Sequence, residues 1–300
     1  MGVKRKIWNI IKKRFKIRSR VLLIKKYRTK LGKIIYKKSF NTKELIDFMK
    51  GMGLREGSNV FIHSSWNEFY NYRGTINEFI EAVLSEIGKD GTLAMPAFPY
   101  LRNKKSIFNI KRTPTLAGLI AEEFRKYPGV KRSVSMHSVC ALGPMADFLT
   151  NEHQFSKTYF DEKSPYYKLS KINALVFTFG LGKYFVGTIM HCADSILSKD
   201  YPYFRQFFQK KTTNKYQLQD KSFIEQECFI PSDDFSYFFT NRSHNRVIRN
   251  YFDSSKYKRL KLSNLSINCY DANYFINKAI ELGKKGIVVY TRPNPKKYFK

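Results

Sequence analysis

The residue spacing richest in possible chemistry lies in Thr188-Ile189-Met190-His191-Cys192-Ala193-Asp194, just after an apolar run and a Gly180-Leu181-Gly182 turn. Spacing of i, i+3 puts His191 and Asp194 on one face of a helix, where a carboxylate can fix an imidazole's tautomer and support it as a general base. His-x-x-Asp also arises on helices as an incidental neighbour, so the spacing leaves both readings open. Cys192 points about 100° away around the same helix, which excludes a direct Cys–His dyad. Two further histidines sit at strand ends: His63 in His63-Ser64-Ser65, and His137 in Ser135-Met136-His137-Ser138-Val139. Such turns can offer N–H groups and hydroxyls to an anion or amide, or be ordinary strand-end turns. Arg102, Lys104, Lys105, Lys111 and Arg112 form a basic run that suits either a phosphate-bearing ligand or a solvated loop. No metal is expected: no two histidines have HExxH-like spacing, and the four cysteines form no CxxC.

The elements that must position these residues alternate between helix and strand, which predicts a layered α/β core with a central β-sheet flanked by helices. Asn41-Thr42-Lys43-Glu44 and Thr75-Ile76-Asn77-Glu78 are capping-box starts, with stops at Gly53 and Gly88. Residues 59–63, 92–95, 138–142 and 174–179 read as strands, the last apolar enough to be central. Pro114 suits the first turn of a helix in which Leu116, Ile120 and Phe124 stack at i, i+4, i+8. Residues 210–234 read as a β-rich excursion or long loops. Residues 271–282 read as a helix, followed by a strand over 286–290. A basic amphipathic extension is expected over 1–38 and one catalytic domain over 39–300.

The net charge of +31 is uneven: residues 1–38 hold sixteen Lys or Arg and no acid, leaving a net of +15 in the remainder. Polyanionic partners are therefore expected. Within 7–17, Ile7, Trp8, Ile10, Ile11 and Phe15 gather on one helical side, with Lys12, Lys13 and Lys16 on the other. Helices of this kind can lie on an anionic membrane surface, or dock on the protein's own core or on a second subunit of a homo-oligomer. Nucleic acid is disfavoured because exposed stacking aromatics are sparse in the segment. The sequence holds no apolar run of the roughly 20 residues that span a bilayer and no secretory signal. Its cysteine usage fits a reducing compartment. A cytoplasmic, peripherally membrane-associated protein is the expectation.

In order and spacing, a series of motifs resembles the aminoglycoside 3-N-acetyltransferase family. His63-Ser64-Ser65 with Gly91-Thr92-Leu93-Ala94-Met95-Pro96 is similar to its first signature, and Arg112-Thr113-Pro114 with Gly118-Leu119-Ile120 to its second. Pro128-Gly129-Val130-Lys131-Arg132-Ser133 and His137-Ser138-Val139-Cys140-Ala141-Leu142-Gly143-Pro144 form the most specific block. Leu149-Thr150, His153, Ser164-Pro165, Met190-His191-Cys192-Ala193-Asp194 and Tyr270-Asp271-Ala272 follow in order. The resemblance implies a fold distinct from the GNAT acetyltransferases and direct transfer of an acetyl group from acetyl-CoA to an amine. It implies His191, supported by Asp194 where the family usually has Glu, as the base, with His137 retained beside it. His63, Ser64, Ser65, Arg112, Thr113, Arg132, Ser133 and Ser138 are then expected on the cofactor side, the arginines at CoA phosphates. The cationic charge suggests a nucleotide- or lipid-linked amino sugar of surface polysaccharide synthesis as acceptor. An aminoglycoside acceptor is the alternative, and a non-catalytic polyanion-binding protein of the same fold is a second.

Overall fold

The computed structural model describes residues 20–102, 106–181, 187–230 and 244–289. The chain opens with α1 (Arg20–Ile35), α2 (Thr42–Met52), β1 (Asn59–Ser64), α3 (Ile76–Ile87), β2 (Thr92–Pro96) and β3 (Phe108–Asn109). It continues through α4 (Leu119–Lys126), β4 (Lys131–Arg132), β5 (Val139–Leu142), α5 (Ala146–Thr150), α6 (Pro165–Lys171), β6 (Leu175–Phe179) and α7 (Met190–Leu197). Then come α8 (Pro202–Arg205), β7 (Lys210–Gln217), β8 (Phe223–Ile230), α9 (His244–Tyr251), β9 (Tyr257–Leu262), β10 (Leu265–Asp271) and α10 (Ala272–Lys284).

Seven strands form the main sheet in the order β4-β5-β2-β1-β6-β10-β9. At its centre β1 runs parallel to both β2 and β6, with Val60 opposite Leu93 and Leu175. Strand alternation divides the core between two faces. Val60, Ile62, Leu93 and Met95 pack with Leu45 and Met49 of α2, Phe79 and Val83 of α3 and Phe124 of α4. Phe61, Ala94 and Val176 pack on the other face with Leu169 of α6, Ala193 and Leu197 of α7, and Phe275 of α10. The result is a helix–sheet–helix sandwich. A smaller sheet, β3-β7-β8, stands beside it.

Local chemistry sets the element starts. Both capping boxes form, with Asn41 and Thr75 accepting from Glu44 and Glu78 N–H while the Glu carboxylates reach back. Asp271 caps α10 through Tyr274 N–H at 2.7 Å. The helix expected from Pro114 instead begins at Leu119. Leu116 is 64% exposed, because Leu116 N–H bonds Phe98 O and Pro99 bridges Thr115, which holds this stretch extended. The strand expected after Gly286 is also missing among the described residues: Gly286 has φ of 73° and 287–289 join no ladder. The 7–17 segment and Tyr290 lie outside the described residues.

The turn from β5 into α5 depends on Gly143, at φ of 123°, where a Cβ would lie 2.3 Å from Gly91 O. Gly143→Ala is expected to lower stability by about 2 kcal/mol or more. Urea unfolding measures this, and a wild-type midpoint would contradict the close approach.

Candidate active site

Ligand sites in open α/β sheets gather beyond the carboxyl ends of parallel strands. Here β1, β2 and β6 end at Ser64, Pro96 and Phe179. After β6 the described chain resumes at Gly187, in a short 3-10 turn (Gly187–Ile189) that leads into α7. Gly187, at φ of 69°, lies so close to His63 that a Cβ would come 2.4 Å from Nε2. Strand β1 thus supports the start of the helix that carries His191.

On α7, His191 Nδ1 lies 3.3 Å from Asp194 Oδ2, and both residues are buried. A carboxylate accepts only, so Nδ1 is the donor in this pair. Asp194 also borders an apolar pocket formed by Met190, Ala193, Leu197 and Phe204. Such low-polarity surroundings strengthen the pair relative to water.

His191 opens into a cavity of about 390 Å³. His137, Tyr159, Phe160, Phe208, Thr212 and Asn214 contribute to its wall. The His191 ring lies 5.0 Å from that of Phe160, and the His137 ring lies 4.8 Å from Phe160 and 5.0 Å from Tyr159. Burial, then the nearby His191, pushes the His137 imidazole down to about 3, which keeps it neutral. Its Nδ1 is buried with no hydrogen-bond partner, leaving a polar atom at a mostly apolar wall. Among the described lining residues there is no carboxylate.

Tyr159, Phe160 and Asn214 were not among the residues expected from sequence. Tyr159 has φ of 66° in a loop whose Asp161 carboxylate accepts from Lys157 N–H at 2.5 Å and Lys163 N–H at 3.1 Å. Gln226 of β8 ties this loop to the hairpin by donating to His153 O at 2.8 Å and Ser156 O at 3.1 Å. Asn214 then donates to Tyr159 Oη at 2.6 Å. The wall is therefore assembled by contacts between residues about 55 to 73 positions apart.

Of the residues expected on the cofactor side, several make hydrogen bonds within the scaffold. Arg132 is buried over the Phe108 ring at 4.5 Å and donates to Thr113 O at 2.5 Å, Ile110 O and Ala97 O. Its guanidinium fastens three carbonyls. Ser138 is fully buried and donates to Ala97 O. Ser133 accepts from Val139 N–H and contacts His153 Nδ1, both at 2.9 Å. His153 Nε2 lies 3.1 Å from Tyr159 O, so that nitrogen carries the proton and Ser133 donates to Nδ1. Thr113 Oγ1 accepts from Asn109 N–H at 3.0 Å. Ser64 and Ser65 remain half-buried at the strand end, where Gly118 and Gly180 approach their carbonyls. Arg112 is exposed on the loop before α4, and Lys104 and Lys105 lie outside the described residues. No group of three or more His, Cys, Asp or Glu suited to a metal occurs among the described residues.

Burial lowers His63 to about 4 and His153 to about 3, both below the 6.5 of a free imidazole. The unfolded chain therefore binds more protons between those values, and stability present above about pH 6.5 is lost as pH falls. Together with His137, also lowered to about 3, they predict a melting temperature that declines from pH 7 to pH 5, with about three protons taken up on unfolding near pH 5. A flat calorimetric profile over that window would show that these histidines are not held neutral.

A family model described as aminoglycoside 3-N-acetyltransferase matches residues 61–282. The SPbeta prophage-derived aminoglycoside N(3')-acetyltransferase-like protein YokD of Bacillus subtilis (strain 168) is 29% identical over 164 residues, 46% of this chain and 60% of that protein. Aminoglycoside N(3)-acetyltransferase IV from Salmonella sp is 25% identical over 160 residues, 53% of this chain. The chain spans 60% of the length of each of these curated relatives. A crystal structure of a mutant of the aminoglycoside acetyltransferase AAC(3)-IVa in complex with a gentamicin superposes with a TM-score of 0.69 at 19% identity, covering 87% of this chain and 95% of that one. The binary structure of AAC-IIIb with CoASH gives 0.68 at 18% identity, covering 84% and 98%. These structures share the sandwich fold, and the family match covers most of the chain, which therefore belongs to the aminoglycoside 3-N-acetyltransferase family.

Proposed function

We propose that this protein is an acetyl-CoA-dependent N-acetyltransferase whose acceptor is an aminoglycoside-type amino sugar. The observation that carries the reading is the buried His191–Asp194 pair opening into a cavity of about 390 Å³. Membership of the family supports the donor and the reaction class, as does the CoASH complex of a protein with this fold. The acceptor class rests on the relatives, which are named for aminoglycosides; none of these names supports a nucleotide- or lipid-linked sugar of surface polysaccharide synthesis.

In the proposed reaction the acceptor amine attacks the thioester carbonyl carbon with its lone pair. His191 Nε2 takes the amine proton as the C–N bond forms. The tetrahedral intermediate collapses, the C–S bond breaks, and the departing thiolate recovers that proton from the imidazolium. Asp194 holds Nδ1–H throughout and balances the transient charge. His137, neutral at the cavity wall, supplies a hydrogen-bonding group to the acceptor or to the developing oxyanion. On the donor side, Ser64 and Ser65 at the open end of β1 and exposed Arg112 are the groups suited to pantetheine and phosphates.

A second reading within the same class concerns the acceptor's charge. A chain of +31 repels polycations at long range, and the described cavity wall has no carboxylate. That favours an amino sugar of lower positive charge, a nucleotide-linked one included. Thiol release from acetyl-CoA with gentamicin-type aminoglycosides beside nucleotide-linked amino sugars decides between them. Turnover on the aminoglycosides supports the main reading, turnover only on nucleotide sugars supports the second, and hydrolysis or no release on either refutes the class.

His191→Ala is expected to lower kcat by roughly 10²–10⁴-fold while KM for acetyl-CoA stays within a few fold. Asp194→Asn should lower kcat less, since the base remains but loses its tautomer lock. Steady-state kinetics on the best acceptor checks both, and a near-wild-type kcat for His191→Ala would remove the general-base role.

A further inference from the structure

Helix α1 is amphipathic in an unusual sense: from Tyr27 onward, its large apolar side chains face outward. Tyr27, Leu31, Ile34 and Ile35 are 59%, 59%, 68% and 70% exposed. Their spacing of i, i+4, i+7 and i+8 gathers them into one stripe. The protein body is met by Gly32 of the helix and by Tyr36 just after it. A Cβ at Gly32 would come 2.0 Å from Tyr70 Oη, so the helix rests there on a tyrosine. Tyr36 O accepts from Asn71 Nδ2 at 2.6 Å, and Lys261 donates to Tyr36 Oη at 2.9 Å. These contacts fix which side faces out, so the stripe is not a core face awaiting its own domain.

Charge surrounds the stripe with one sign. Residues 20–38 contain eight Lys or Arg and no acid. Lys30, Lys33, Lys37 and Lys38 are exposed, and the Tyr36–Lys261 contact joins α1 to the basic edge strand β9, with exposed Lys258 and Arg259. Aliphatic residues flanked by lysines match the boundary between lipid headgroups and acyl chains, where apolar side chains sink roughly 5–10 Å and lysines meet anionic lipids. A nucleic-acid surface would instead present stacking rings, and only Tyr27 offers one among the described stripe residues.

We infer that α1 and the adjoining edge of β9 form a docking surface for anionic lipid bilayers. The surface binds peripherally: no helix among the described residues is long and apolar enough to cross a membrane. The inference is independent of the acetyltransferase reading, because none of its residues lines the cavity.

The test is flotation of the full-length protein with vesicles of phosphatidylcholine alone or mixed with phosphatidylglycerol. Binding to the mixed vesicles only, weakening as salt rises, is expected. The Leu31→Ser/Ile34→Ser/Ile35→Ser protein should lose about tenfold or more of the partition coefficient. Its melting temperature and its thioester cleavage without lipid should stay at wild-type values, since all three side chains are exposed. Equal flotation of wild type and triple variant would overturn the assignment to α1. So would failure of the wild type to bind anionic vesicles, binding to RNA in their place, or a dimer that dissociates on the triple substitution without any lipid binding.

Discussion

The hydrogen bond from His191 Nδ1 to Asp194 is the constraint to which the surrounding structure answers. It fixes Nδ1 as the donor, and the proposed reaction gives the proton transfer to Nε2. A bond of 3.3 Å between buried groups retains its directing power only where water does not compete. The apolar pocket under Asp194 and the rings packed at His191 meet that condition. The sandwich supplies the position: β6 runs at the sheet centre, and the tight packing of Gly187 on His63 seats the first turn of α7 against β1. A side chain at Gly187 would push the helix start away from the strand that supports it.

Around this pair, polar residues divide by where their hydrogen bonds are spent. Arg132, Ser133, Ser138 and His153 are turned inward and hold carbonyls and amides of the strand-end loops. Their value is rigidity, since each would cost stability if its partner were removed. His137 differs, because its Nδ1 has no partner at the cavity wall. The same short stretch, residues 132–138, thus contains both bracing groups and a side chain at the cavity wall, one to five positions apart.

That division explains what the sequence could and could not reveal. The capping boxes at Asn41 and Thr75 were legible because both partners lie within four residues. His191 and Asp194 were legible for the same reason, as helix neighbours one turn apart. The strands β1, β2 and β6 were readable from their apolar runs. Tyr159 and Asn214 were not, because they meet only after Gln226 fastens the hairpin β7–β8 to the 153–156 turn. The surroundings of Arg132 were hidden for a related reason: nothing local signals the Phe108 ring and the carbonyls that bury it. Pro114 suggested a helix start, but bridging to Phe98 and Pro99 over a distance of some seventeen residues won over that local preference.

In the proposed mechanism Asp194 holds His191 in the Nδ1–H form, so that Nε2 is the nitrogen that takes the proton. Long-range ¹H–¹⁵N spectroscopy of the imidazoles near neutral pH tests it directly, with Asp194→Asn as the reference. The expected result is a pyrrole-type Nδ1 and a pyridine-type Nε2 for His191, with that pattern lost or mixed in the variant. A protonated Nε2 in the wild type, or an identical pattern in both proteins, would contradict the role assigned to the pair.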